Sequence, residues 1–70
     1  MDILINHVRH NRKAVGRITQ QELASRVGVT RQSIISIEQG RYRPSIELAL
    51  RLAQALGVQV GDLFELVRDE

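Results

Sequence analysis

Apolar positions recur along this chain at helical intervals, and alternation of period two is missing over any useful length, so the pattern predicts short helices. Thr19-Gln20-Gln21-Glu22 has the spacing of a capping box, in which a hydroxyl serves an orphan amide and a glutamate reaches back. Leu23, Ala24 and Val27 follow as an apolar stripe that ends at Gly28. Thr30 is the next natural N-cap, ahead of a helix over 31–39, with Gly40 as its stop. Pro44-Ser45 opens a third clear helix, with Ile46, Leu48, Ala49, Leu52, Ala53 and Leu56 inward and Gly57 closing it. Upstream, 7–15 is compatible with a helix whose inward positions are Val8, Asn11 and Val15, and Asp62-Leu63-Phe64 fits one last helical turn. Glycines 16, 28, 40 and 57 then mark tight turns between short helices, and the expected architecture is a bundle of four or five of them.

Composition narrows the picture. Seventy residues allow one small domain with a shallow core. Absence of cysteine removes disulfides and thiolate metal sites, two of the usual staples for chains this short. No apolar run approaches the roughly 18–20 residues that span a bilayer, and no signal-peptide pattern opens the chain. The expectation is a soluble protein of a reducing compartment, most simply a cytoplasm.

Net charge is +2, but it is unevenly spread. Between His7 and Arg43 stand eight basic residues and only two acidic ones, Glu22 and Glu38, so this stretch carries +6 and the remainder −4. A basic body with acidic ends suits a polyanion, of which nucleic acid is the commonest; the bland alternative is a solvated surface of uneven charge.

The stretch 20–39, QQELASRVGVTRQSIISIEQ, joins two short helices through Val27-Gly28-Val29. Gly28 stands where the turn needs a positive φ, Ala24 lets the second helix approach closely, and Leu23, Val27, Val29, Ile34 and Ile37 supply the joint. This is a helix-turn-helix pattern, of which a generic αα-corner would share only part. On the second helix Ile34 and Ile37 point inward, whereas Arg31, Gln32, Ile35, Ser36 and Gln39 fall on the opposite arc. An exposed Ile35 suits contact with a thymine methyl in the major groove, Arg31 suits guanine O6/N7 and Gln32 adenine N6/N7.

Over essentially its whole length, and most specifically over 19–64, the chain resembles Cro/cI-type helix-turn-helix repressors of the Xre family, particularly short single-domain members of the cytolysin-operon repressor type. The resemblance implies an all-α, compact five-helix, lambda-repressor-like DNA-binding domain covering 1–70. It also implies a short two-stranded antiparallel pairing of the terminal segments, Ile3-Leu4-Ile5 with the stretch 63–67, whose β-branched residues allow it. The function it implies is sequence-specific repression of transcription by a homodimer on a palindromic operator in double-stranded DNA. Carried over by position, Arg31, Gln32 and Ser36 match base-reading residues, with Ile35 among them. Gln20, Gln21, Gln39, Arg41 and Arg43 match contacts to phosphate. Arg12 and Glu38 match a structural pair, and an isolated acid such as Glu38 in a basic region would repel DNA if it faced outward.

The chain departs from the family pattern in three places. The loop Gly16-Arg17-Ile18-Thr19 has one residue more than many relatives, Asn11 replaces a usual aliphatic residue, and Gln59 replaces a usual capping residue, which predicts a loosely packed first helix and a frayed last one. At the ends, Leu56, Val58, Val60, Leu63 and Phe64 are expected to form a dimer patch, with the acidic termini away from the phosphates.

Other functions find less support. His7 and His10 lie one turn apart, but no third metal ligand accompanies them. No nucleophile–His–acid constellation or glycine-rich phosphate loop is present, so neither enzyme activity nor a cofactor is expected, and no small-molecule effector or membrane partner is evident. An antitoxin usually needs an added segment to embrace its toxin, and only 65–70 is left over for one. A single-strand binder would show more stacking aromatics than Tyr42 and Phe64.

Overall fold

A computed structural model describes residues 1–68 of the chain. The element order is β1 (Asp2–Asn6), α1 (Val8–Ala14), α2 (Gln20–Val27), α3 (Arg31–Glu38), α4 (Ile46–Leu56), α5 (Val60–Leu63) and β2 (Phe64–Arg68). Five helices thus carry a small terminal sheet, so the all-α expectation holds for the body and the strand pairing is present beside it. β1 and β2 run antiparallel, from Asp2 opposite Arg68 to Asn6 opposite Phe64. Phe64 therefore begins the strand and is not part of the last helical turn.

Local chemistry sets the helix starts. Thr19 Oγ1 accepts from the Glu22 amide at 3.0 Å, and the Glu22 carboxylate accepts from the Thr19 amide at 3.1 Å, a complete capping box. Thr30 and Ser45 cap α3 and α4 through the amides of Ser33 and Leu48, each at 3.1 Å. The last helix is capped from within: Asp62 Oδ2 accepts from the Gln59 amide at 2.9 Å, so the loss of a hydroxyl at Gln59 is made good three residues later. Asn11 also acts as a tie. Its Nδ2 donates to the carbonyls of His7 at 2.9 Å and Asp62 at 3.3 Å, joining α1 to α5 where an aliphatic residue would only pack.

Between α2 and α3 the chain turns at Gly28, whose φ is +77°. A Cβ built there meets nothing nearer than Arg51 Nη1 at 3.8 Å, so the demand for glycine comes from the backbone angle and not from crowding. The Val29 amide donates to the Ala24 carbonyl at 3.0 Å and completes the turn.

One core unites the helices: Val8, Ile18, Leu23, Ala24, Val27, Ile34, Ile37, Leu48, Leu52, Ala53, Leu56 and Leu63 are all buried. Two inward assignments fail. Val15 and Ile46 are exposed, Ile46 by 80%. Ile46 is the first residue of α4 and lies about 120° around the helix from Leu52, the middle of the Leu48–Leu52–Leu56 stripe. Helix α1 instead buries Val8 and Arg12. None of the described helices is long and apolar enough to cross a membrane.

Candidate nucleic-acid interface

The base of the site is an ion pair. Arg12 Nε donates to Glu38 Oε2 at 2.8 Å and Arg12 Nη2 to Glu38 Oε1 at 3.2 Å, while Nη1 donates to the Ile18 carbonyl at 2.9 Å. Gln20 Nε2 adds a further bond to Glu38 Oε1 at 3.1 Å. The side chains of Arg12 and Glu38 are 10% and 5% exposed, so one guanidinium and one carboxylate, nearly dry, hold α1, α2, α3 and the loop before α2 in register. The acid is neutralised from within and presents little negative charge to the surface above it.

Beside this pair an open groove is lined by Arg9 and Lys13 of α1, Arg17 of the loop that follows, Gln20 and Gln21 of α2, and Arg31 and Ile35 of α3 with Gln39 at its C-cap. Arg31, Ile35 and Gln39 are spaced by four residues along α3 and its C-cap, which places them in one row on the face turned away from Ile34 and Ile37. Ile35 is half-buried, less open than the sequence pattern suggests, because the groove walls flank it. The groove is cation-rich, with Ile18 and Ile35 as its apolar lining. Its guanidinium, ammonium and amide groups can take phosphate oxygens and base edges.

The remaining expected contact residues lie outside this groove. Gln32 is exposed beside it, with Nε2 3.5 Å from the half-buried Ser36 Oγ, one turn along the same helix. Arg41 and Arg43 are exposed in the loop after α3, which is pinned where the Ser36 carbonyl accepts from the amides of Arg41 at 2.9 Å and Tyr42 at 3.3 Å. Gln21 donates to Ser25 Oγ at 3.3 Å, within its own helix. Sequence alone gives Arg9, Lys13 and Arg17 no contact role: the i, i+4 spacing of Arg9 and Lys13 is visible in it, but their meeting with α3 depends on tertiary packing.

The expected dimer patch requires correction. Leu56 and Leu63 are 1% and 0% exposed, and Val58 and Phe64 pack half-buried on the same core, so of the five only Val60 is open. A core of twelve residues needs every large side chain it can enclose. Apolar surface lies instead on the sheet, where Ile3, its partner Val67 and Ile5 are exposed on one face and Leu66 on the other. The N-terminal acid is not remote from the basic loop either: Asp2 lines a shallow groove together with Tyr42 and Arg43. Two further acids of the C-terminal end, Asp69 and Glu70, lie outside the described residues. His7 Nε2 is bonded to Glu65 Oε1 at 2.7 Å.

Comparison with known proteins gives one answer. The helix-turn-helix family model matches residues 12–63. An uncharacterized HTH-type transcriptional regulator of Methanothermobacter thermautotrophicus is 56% identical over 63 residues, covering 89% of this chain and 90% of its own. Another, from Methanocaldococcus jannaschii, is 45% identical over 83% of this chain and 88% of its own. Among solved structures, the restriction-modification controller protein C.AhdI of Aeromonas hydrophila superposes with a TM-score of 0.74 at 30% identity, over 80% of this chain and 83% of that one. The clp gene regulator ClgR of Corynebacterium glutamicum gives 0.73 at 34% identity, over 79% of this chain and 57% of that one.

Proposed function

The chain belongs to the Cro/cI-type (Xre) helix-turn-helix family of transcriptional regulators, and from that premise we propose that it is a repressor which reads a palindromic operator as a homodimer. Its DNA-binding unit is the helix-turn-helix, and the family and its relatives are regulators, not enzymes. The observation that carries the reading is the single row of Arg31, Ile35 and Gln39 along α3, facing a cation-lined groove while Ile34 and Ile37 lock the helix to the core.

In this reading α3 enters the major groove. Arg31 takes guanine O6/N7, Gln32 an adenine edge, Ile35 a thymine methyl, and Ser36 a neighbouring base edge. Gln20, Gln21, Gln39, Arg41 and Arg43 hold the phosphates on either side and set the register. The chain acts as one DNA-binding domain over 1–70. A second copy joins through the exposed sheet face of Ile3, Ile5 and Val67 with Val60, burying apolar surface that a small core leaves outside. Two recognition helices about 34 Å apart then meet one face of the duplex. A bound dimer excludes other proteins from the bases it covers, which is all that repression by occlusion requires.

Selection of bound duplexes from a random DNA pool tests this reading. Enrichment of an inverted repeat with half-sites roughly 10–10.5 base pairs apart is expected. A pool that stays random after repeated rounds would count against sequence reading, and enrichment of a lone half-site would count against the dimer.

A further inference from the structure

The loop between α1 and α2 contains the one described residue other than glycine with a positive φ. Arg17 sits at +57°, directly after Gly16 at +72°. A left-handed conformation is unfavourable for an L residue, and arginine has no short polar side chain to offset that locally. Glycine or asparagine would occupy the position more cheaply. Sparsely populated backbone of this kind, where it persists, points from geometry toward function. The loop is firmly held: Arg12 Nη1 binds the Ile18 carbonyl and Ile18 is buried in the core, so the turn fixes where the Arg17 side chain emerges.

Arg17 lines the groove together with Arg9, Lys13 and Arg31. Arg9, Lys13 and Arg17 are exposed, and none of their side chains takes part in an ion pair or hydrogen bond among the described residues. Lys13 has a second explanation, since it stands in the last turn of α1, where a cation suits the helix dipole. Arg17 lies beyond that turn, in strained backbone, and has none. Four uncompensated cations around a groove that also holds Gln20 and Gln21 fit a continuous strand of phosphates better than one small anion, because the row extends across the site.

We propose that Arg17, with Arg9 and Lys13 beside it, forms a second phosphate clamp that grips the DNA backbone at this groove, which Arg41 and Arg43 do not line. The inference rests on the DNA-binding reading above and adds a contact to it. The strain supplies a selective test, because Arg17→Gly removes the charge and suits the backbone at once.

Binding to a fluorescein-labelled mixed-sequence duplex of about 30 base pairs is measured by anisotropy across a salt series, with thermal unfolding recorded for each variant. Arg17→Gly should melt at or above the wild-type temperature. It should bind about five- to tenfold more weakly in ~0.1 M salt, with the slope of log K against log salt reduced by about 0.9. Arg17→Lys should restore most of both. Arg26→Gln removes the same charge from a face that includes Arg51 and lies outside this groove, and it should leave the slope unchanged. If wild type binds and Arg17→Gly keeps its slope, or Arg26→Gln loses as much, the clamp is refuted while the DNA reading stands. If wild type does not bind the duplex at all, the DNA reading itself falls, and the clamp with it.

Discussion

At the scale of single residues, Arg12 does more than any other side chain to shape the site. Its guanidinium spends three N–H groups on Glu38 and the Ile18 carbonyl, and Glu38 passes the connection to Gln20. Removing one partner of so dry a pair strands the other charge, which costs about 3–5 kcal/mol. Glu38→Ala should therefore lower the melting temperature by roughly 12 °C or more, read by circular dichroism. Replacing both partners together, as Arg12→Met with Glu38→Leu, should restore much of that loss. A single variant that melts like wild type would show the pair to be solvated. Part of this was legible, since Glu38 stands out as a lone acid in a basic stretch and the family resemblance pairs it with Arg12. The arm from Gln20 was not, because a bond between side chains eighteen positions apart leaves no local trace.

At the scale of elements, the sequence was most informative where a helix begins with its own chemistry. Thr19, Thr30 and Ser45 each cap the helix that follows, and Gly28 and Gly57 end theirs in the left-handed region. Periodicity failed at helix margins. Ile46 belongs to the apolar pattern of α4 but projects from its first turn into solvent, and Val15 follows the end of α1. The last helix was expected to be weak because Gln59 lacks a hydroxyl, and Asp62 supplies the cap from the other end of the turn. The α2 capping box carries a pH signature. The Thr19 backbone amide, and then the Thr19 hydroxyl, hold the Glu22 carboxyl below its ordinary value of 4.5. The folded value being the lower one, this contribution is complete above the ordinary range and is lost as pH falls through the depressed value. Urea unfolding midpoints from about pH 6 down to about pH 2.5 should fall less steeply for Glu22→Gln than for wild type. Parallel curves would place the acid sensitivity in other carboxylates.

At the scale of the molecule, a twelve-residue core and an apolar sheet face set the terms of assembly. The sheet has two strands, so each leaves an edge unpaired, and Ile3 and Val67 sit 45% and 38% exposed on its outer side. A stable interface covers about 1,200 Å² or more in total, an area the sheet face can begin and Val60 extend. Val67→Asp should shift sedimentation equilibrium at micromolar concentration toward monomer while the far-UV spectrum keeps its helical form. Leu63→Asp, by contrast, places a charge at a fully buried position and should unfold the chain, so it reports on the core and not on association. An unchanged dimer for Val67→Asp would move the interface elsewhere. The apolar residues at both ends are plain in the sequence, but nothing there divides Leu63 from Val67, since both are aliphatic and only packing separates core from surface. The central claim is that α3 reads bases through its outward row while the cations around it hold phosphate. The most direct measurement is the ratio of affinities for the selected operator and for a random duplex of equal length, in wild type and Arg31→Ala. Arg31→Ala is expected to lose about 1–3 kcal/mol on the operator, to lose far less on the random duplex, and to relax one base position. Equal loss on both duplexes would make Arg31 another phosphate contact and remove base reading from α3's first residue.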